Sequence, residues 1–248
     1  MKLKFSSILA VVAISIIGLS SCVKEDNYLG PDASLSGTMF VDGSNNADTI
    51  QTCTSNFSIR LEQLSWSSTP TPQDIPIKAD GTYQNTELFS GHYRVSILGG
   101  AFWPVESKEI DVTKGSKLDF QLIPYLFLNN ASAHFDDTTL VVDFHLEAPI
   151  DGIPKPLEMQ VYTSATQFVG PGASIDVLSS GTKDDPRKYI VPLSKEWADF
   201  TDGDKNCEIK IPFPTPLKER SFFIRAGIKF NDSYRSSNLS NIMQVTYQ

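Results

Sequence analysis

Three sets of residues have types and spacings that chemistry could use. In "VDFHLEA", Asp143, His145 and Glu147 alternate, so a strand projects all three from one face, and they are suitable ligands for a divalent cation. Side chains two apart on a strand run parallel instead of converging. The same alternation also describes a half-buried antiparallel strand with Val142, Phe144 and Leu146 inward. Asp202, Asp204 and Asn206, with Glu208 beyond, have the spacing of a calcium loop, but Cys207 stands where an EF-hand needs glycine. A polar turn at Asp202-Gly203 is the alternative. For nucleophilic catalysis there is no Gly-x-Ser-x-Gly elbow, and the Ser21-x-x-Lys24 match falls in the N-terminal leader and tether. The imidazoles are His92, His134 and His145, and His92 in Gly91-His92-Tyr93 reads as a surface turn residue. A glycosidase would need two opposed carboxylates, and nothing singles out a pair among the 29 acidic residues. The expectation is a non-enzyme with no catalytic residues, no metal and no cofactor.

Aromatic side chains are the remaining chemistry. Trp66 stands where a strand meets a proline-rich loop, and Trp103 comes after the Gly99-Gly100 turn. Loop aromatics suit sugars, whose C–H faces pack on π surfaces while hydroxyls seek polar neighbours. Trp66 and Trp103 are therefore the glycan-binding candidates, with plugs at the ends of a β-sandwich as the alternative for both. Trp197, among charged residues, has no assigned role.

The elements that must hold these residues begin with an address. Lys2 and Lys4 precede an apolar run from Ile8 to Leu19, which is short for a membrane span and reads as a secretory signal. "LSSC" then resembles a bacterial lipobox, making Cys22 the expected lipidated first residue of the mature chain. Residues 1–21 are the signal peptide and 22–33 a tether, whose Val23–Ala33 stretch reaches at most ~35 Å. Lys24, Glu25 and Asp26 resemble the short charged signal that sends lipoproteins to the outer face of the outer membrane. The formal charge of −8 becomes more negative once the leader's lysines are lost, which disfavours nucleic acid as a partner. Cys53 and Cys207 are expected to be unpaired buried thiols, since they fall in different domains.

Period-two alternation marks strands almost throughout. Phe57, Ile59 and Leu61 alternate with Ser58, Arg60 and Glu62, and Tyr93, Val95 and Ile97 repeat the pattern. "STPTPQDIP" marks a loop or an edge. Turn signals fall at Asp80-Gly81, Gly115, Asp151-Gly152 and Gly170-Pro171-Gly172. "LSKEWADF" could form a short helical turn capped by Ser194. From Tyr125 onward, seven strand candidates from "YLFL" to "IMQVTY" suggest a β-sandwich of roughly one hundred residues. The predicted fold class is all-β, with two tandem sandwiches over 34–124 and 125–248.

"SLSGTMF", "ADGTYQNTELFSGHYRVSILGGAFWPVE" and "LDFQLIPYL" carry a resemblance. They are similar to the carboxypeptidase-regulatory-like, transthyretin (prealbumin)-type sandwich. The mature chain resembles a Bacteroidetes surface lipoprotein family of unknown function encoded beside SusC/SusD-type glycan-uptake pairs. The resemblance implies an immunoglobulin or fibronectin-III-like domain after residue 124, an anchor in the outer membrane facing outward, and no transferable catalytic residues. It implies an accessory polysaccharide-binding protein of an uptake system. The alternative is a structural or docking subunit of the SusC/SusD-type transporter with no sugar site.

Overall fold

The structure, a computed structural model, describes residues 29–42, 49–50, 57–171, 188–213 and 215–248. Cys22, Cys53 and the leader lie outside these residues. Asp32–Gln248 forms one compact unit. Its regular structure is nearly all strand, in sandwich-like layers. Among the described residues no helix is long and apolar enough to cross a membrane.

Among the described residues, eight strands precede Pro124: β1 (Ala33–Val41), β2 (Phe57–Gln63), β3 (Gln73–Pro76), β4 (Thr82–Leu88), β5 (Gly91–Gly99), β6 (Lys108–Val112), β7 (Ser116–Lys117) and β8 (Phe120–Leu122). One sheet runs β4-β1, with β7 and β8 pairing parallel to the other edge of β1. The other is β3-β2-β5-β6 and antiparallel. Alternation places Ile59, Leu61 and Val95 on the face buried against Leu35, Met39, Tyr83 and Phe120, and this is the first core. The proline-rich stretch ends in an edge strand, β3, where a missing ladder donor costs least. Gly37 on β1 has a packing reason: an added Cβ would lie 1.9 Å from the Leu118 carbonyl oxygen. That oxygen accepts the Tyr83 hydroxyl at 2.7 Å.

After Pro124 come β9 (Phe127–Asp136), β10 (Thr139–Glu147), β11 (Pro156–Ser164), β12 (Lys188–Pro192), β13 (Asn206–Pro212), β14 (Arg220–Phe230), β15 (Ser237–Leu239) and β16 (Met243–Tyr247). The sheets are β13-β10-β9 and β12-β11-β14-β15, with β16 also on β14. Val142, Phe144, Ile209, Ile224 and Ile228 fill a second core between them. Cys207 on β13 is a buried free thiol, pushed up to about 11 by burial and by the charge of Asp204.

Local expectations were corrected in two places. Asp202-Gly203 opens a single helical turn, α1 (Asp202–Lys205), instead of a hairpin, because Thr201 and Asp204 close a capping box around it. Ser194 caps nothing: the 3-10 turn Trp197–Asp199 is preceded by Glu196, without a side-chain cap.

The two cores are tied together by the segment after β5. Gly99 and Gly100 have φ of 69° and 85°, and a Cβ on Gly100 would stand 2.3 Å from the Phe102 ring. Only glycine permits this tight turn. Beyond it the side chains alternate. Phe102 enters the first core, while Ala101 belongs to the second and Trp103 packs against it. Backbone bonds pair this segment with the chain around Pro124: Trp103 N–H donates to the Ile123 oxygen at 2.8 Å, and Tyr125 N–H to the Ala101 oxygen at 3.0 Å. Buried Asn238 completes the seam. Its amide donates to the Ala101 oxygen at 2.7 Å, and its oxygen accepts Leu126 N–H at 2.8 Å.

Candidate functional site

The polar sets flagged by spacing are brought into strand and turn contacts, not into ligand clusters. Asp143, His145 and Glu147 do share the outward face of β10. His145 Nδ1 lies 2.8 Å from Asn206 Oδ1, and Glu147 accepts from Asn129 at 2.6 Å. His145 and Glu147 thus point to different neighbouring strands. Asp204 is taken by Lys195 Nζ, at 2.7 Å to both oxygens, and by Thr201. Those bonds hold its carboxyl well below the usual range, the lysine first. Among the described residues no group of three His, Cys, Asp or Glu could hold a metal ion.

His92 sits at the start of β5, with Nδ1 2.9 Å from Asp111 and Nε2 3.3 Å from Glu109. Both carboxylates raise its pKa, Asp111 the more strongly. Arg94 joins Glu109 in the same exposed row, continuing to Glu62 on β2.

The three tryptophans have three different settings. Trp66 is 65% exposed, on the loop after β2, its ring centroid 5.2 Å from that of Phe89. Trp103 is half-buried: its ring meets Tyr125 edge-on at 5.8 Å, and its indole N–H is buried with no hydrogen-bond partner among the described residues. Trp197 packs on the second core beside Phe200. The structure therefore does not bring Trp66 and Trp103 into one aromatic face. Each has its own partner ring.

A concave site does form at the seam. A cleft of about 260 Å³ has Gly100, Phe102, Tyr125, Asp232, Ser233 and Tyr234 among its lining residues. Tyr125 presents one aromatic wall, supported from behind by Phe230 at 5.3 Å. Its phenol is pushed up by burial and by the charge of Asp232, so it stays protonated and able to donate. Asp232 is oriented by Ser236, whose N–H donates to one carboxylate oxygen at 2.8 Å while its hydroxyl donates to the other. Tyr234, 48% exposed, forms the outer lip. Its electrostatic influence reaches Arg60 on β2, whose pKa is raised first by hydrogen bonds to Asp74 and only weakly by this tyrosine. Arg60 and Asp74 form a two-point pair at 2.8 Å. Two phenols, one fixed carboxylate, a serine and glycine backbone can hold a small polar ligand with apolar faces. Of the residues at this seam, the sequence pattern singles out only Trp103. Tyr125 and the Asn231-Asp232-Ser233-Tyr234 turn were missed because they are distant in the chain, and a turn composition carries no hint of what it faces.

Residues 33–123 match the family described as "Protein of unknown function (DUF3823) N-terminal domain". Solved structures extend the likeness past that segment. A DUF3823 family protein from Bacteroides uniformis superposes with a TM-score of 0.70 at 18% identity, covering 88% of this chain and 100% of that one. A second B. uniformis protein, described as a "putative carbohydrate binding protein", has a TM-score of 0.67 at 20% identity with the same coverages. A DUF3823 family protein from Parabacteroides merdae has a TM-score of 0.67 at 15% identity, again with those coverages. At these identities the likeness establishes the all-β fold. No curated protein matches the chain.

Proposed function

We propose that this protein is a non-catalytic, lipid-anchored surface protein that binds polysaccharide in the seam cleft, as an accessory to a SusC/SusD-type uptake pair. One observation carries the reading: a concave site combining two tyrosine faces with an oriented carboxylate and hydroxyls. Support also comes from the carbohydrate-binding description of one B. uniformis relative and from the lipobox at Cys22. Asp232 is the cleft's lone carboxylate among its described lining residues, so the general acid and base of a glycosidase are not paired there. The size suits roughly one sugar ring, below the usual range of drug-sized pockets. Affinity is weak per site, and many anchored copies on one long chain make up the difference. A neutral glycan is favoured, because the acidic body repels an anionic one before contact.

The test is affinity electrophoresis of the chain from residue 23 onward through a panel of neutral and charged polysaccharides. A neutral glycan should retard the protein, and Tyr234→Ala should abolish the retardation without changing the melting temperature. Binding that survives Tyr234→Ala but is lost in Trp66→Ala would move the site away from the seam. No retardation by any glycan, together with co-purification of a transporter pair, would favour the docking-subunit reading.

A further inference from the structure

The Trp66–Phe89 pair is left unused by the cleft, and its position in the chain says what it meets. Phe89 lies in the turn between β4 and β5, flanked by Leu88 and Ser90. Those two flanking residues hold the first residue of the compact unit. Asp32 N–H donates to the Leu88 oxygen at 3.0 Å, and Ser90 N–H donates to the Asp32 carboxylate at 2.7 Å. The polypeptide therefore joins this unit directly beside Phe89. The companion ring is equally fixed. Leu64 N–H donates to the His92 oxygen at 2.8 Å, and His92 N–H donates to Ser65 Oγ at 2.7 Å, which anchors the loop carrying Trp66. The outcome is an exposed, pre-organised aromatic pair at the end of the sandwich to which the N-terminal chain attaches.

From this geometry we propose that Trp66 and Phe89 insert into the headgroup layer of the membrane that carries the Cys22 anchor, setting the protein's standing orientation on that surface. The proposal rests on the anchored-lipoprotein reading of Cys22. Nine residues separate Cys22 from Asp32, a contour of at most ~35 Å, so the attached end of the sandwich is confined to the neighbourhood of the bilayer. Trp is enriched at this depth because its ring is apolar while its N–H reaches water or headgroups. Two aromatics alone would bind a bilayer weakly. Held at tether range, they face a high effective concentration of lipid, and a weak contact becomes populated. Asp32, bonded to Ser90, and Glu87, two positions before Phe89 in the chain, add negative charge, so zwitterionic headgroups are favoured over anionic ones. Docking by this end also leaves the seam cleft, built from other loops, available to polysaccharide.

The experiment must work whether or not Cys22 is acylated. The mature chain with an N-terminal hexahistidine tag in place of Cys22 is held on phosphatidylethanolamine vesicles containing nickel-chelating lipid and tail-brominated phosphatidylcholine. Tryptophan emission should shift to the blue and be quenched by the brominated tails. In Trp66→Phe the quenching should disappear, although Trp103 and Trp197 still emit. Phe89→Ala should weaken it, and replacing phosphatidylethanolamine by phosphatidylglycerol should reduce it. Unquenched emission on the vesicles would overturn the proposal, as would a larger Trp66 response to polysaccharide or to a co-purified protein than to lipid. A missing acyl mass on the native protein would defeat the anchor reading, while the tagged chain still reports on the pair.

Discussion

Two aromatic regions of this molecule have nearly the same ingredients and opposite fates. At the attached end, Trp66 leans on Phe89 in a pair open to solvent. At the seam, Trp103 leans on Tyr125, which leans on Phe230, and the row is half-sunk in the second core. The difference lies in the chain around each tryptophan. Trp66 enters a loop with serine, threonine and proline, where no alternation draws it inward. Trp103 belongs to a short run paired with residues 123–125, and that pairing dictates one side for Phe102 and the other for Ala101 and Trp103. Burial of the second tryptophan is thus a consequence of backbone pairing, and the cleft beside it is a by-product of joining two cores.

The largest expected effect is at the seam. Trp103→Ala should cost about 3 kcal/mol, the lower end for a large aromatic because the ring is only half-buried. Trp103→Phe keeps most of the packing and removes a buried N–H without a partner, so it should be within about 1 kcal/mol of wild type. Chemical denaturation of the two variants separates packing from polarity. An equal loss in both would mean that the indole N–H, and not the packing of the ring, carries the stabilisation.

Next comes Asn238→Ala, which leaves the buried Leu126 N–H without its acceptor and the Ala101 oxygen with one donor fewer. A loss of about 2 kcal/mol is expected. Coupling through the seam is tested by expressing residues 125–248 alone. Stripped of Ala101 and Trp103, that piece should melt well below the full chain. An unchanged melting temperature would mean that the seam contributes nothing to the second core.

At the open end the effect should be small. Trp66→Ala removes little buried surface and should stay within about 0.5 kcal/mol in equilibrium denaturation. A loss as large as that of Trp103→Ala would erase the contrast between the two regions.

Smallest of all is the pH effect of His92, an exposed group. Its folded pKa is raised by Asp111 and then Glu109. The stabilisation is therefore complete below the ordinary histidine value of about 6.5 and is lost as pH rises through the higher folded value. Melting temperatures of wild type and His92→Gln should converge as pH rises above the ordinary histidine value and through the higher folded one, where the imidazole loses its charge. A difference that grows with pH would reverse the sign and remove the carboxylates as its cause.

The fold was readable where one residue's neighbours in sequence are also its neighbours in space. Phe57, Ile59 and Leu61 line one face of β2, as period two requires. Val142, Phe144 and Leu146 do the same on β10. Gly81, Gly115 and Gly152 all have positive φ at the turns their composition announced. Legibility failed at β15, whose three residues carry two polar side chains and alternate with nothing. It failed also at Arg225, outward by any strand pattern yet fully buried, with Nε donating to the Ser240 oxygen at 2.8 Å. Burial of a charge is decided by what covers it, and the cover comes from elsewhere in the chain.

The candidate site divides along the same line. Periodicity and turn chemistry act over a few residues, so the sequence by itself determined the strands that alternate, the glycine turn before Trp103 and an aromatic presence in the loops. Which tryptophan is open and which is buried depends on the pairing of residues 101–103 with 123–125 and on the packing of a second core beneath them. The meeting of Tyr125 with Asp232 and Tyr234 depends on loop closure across more than one hundred residues, and no local pattern encodes it. Tertiary structure alone made a cleft there, because its lining comes from three stretches of chain, around Gly100, at Tyr125 and at Asp232–Tyr234, that meet only in the folded protein.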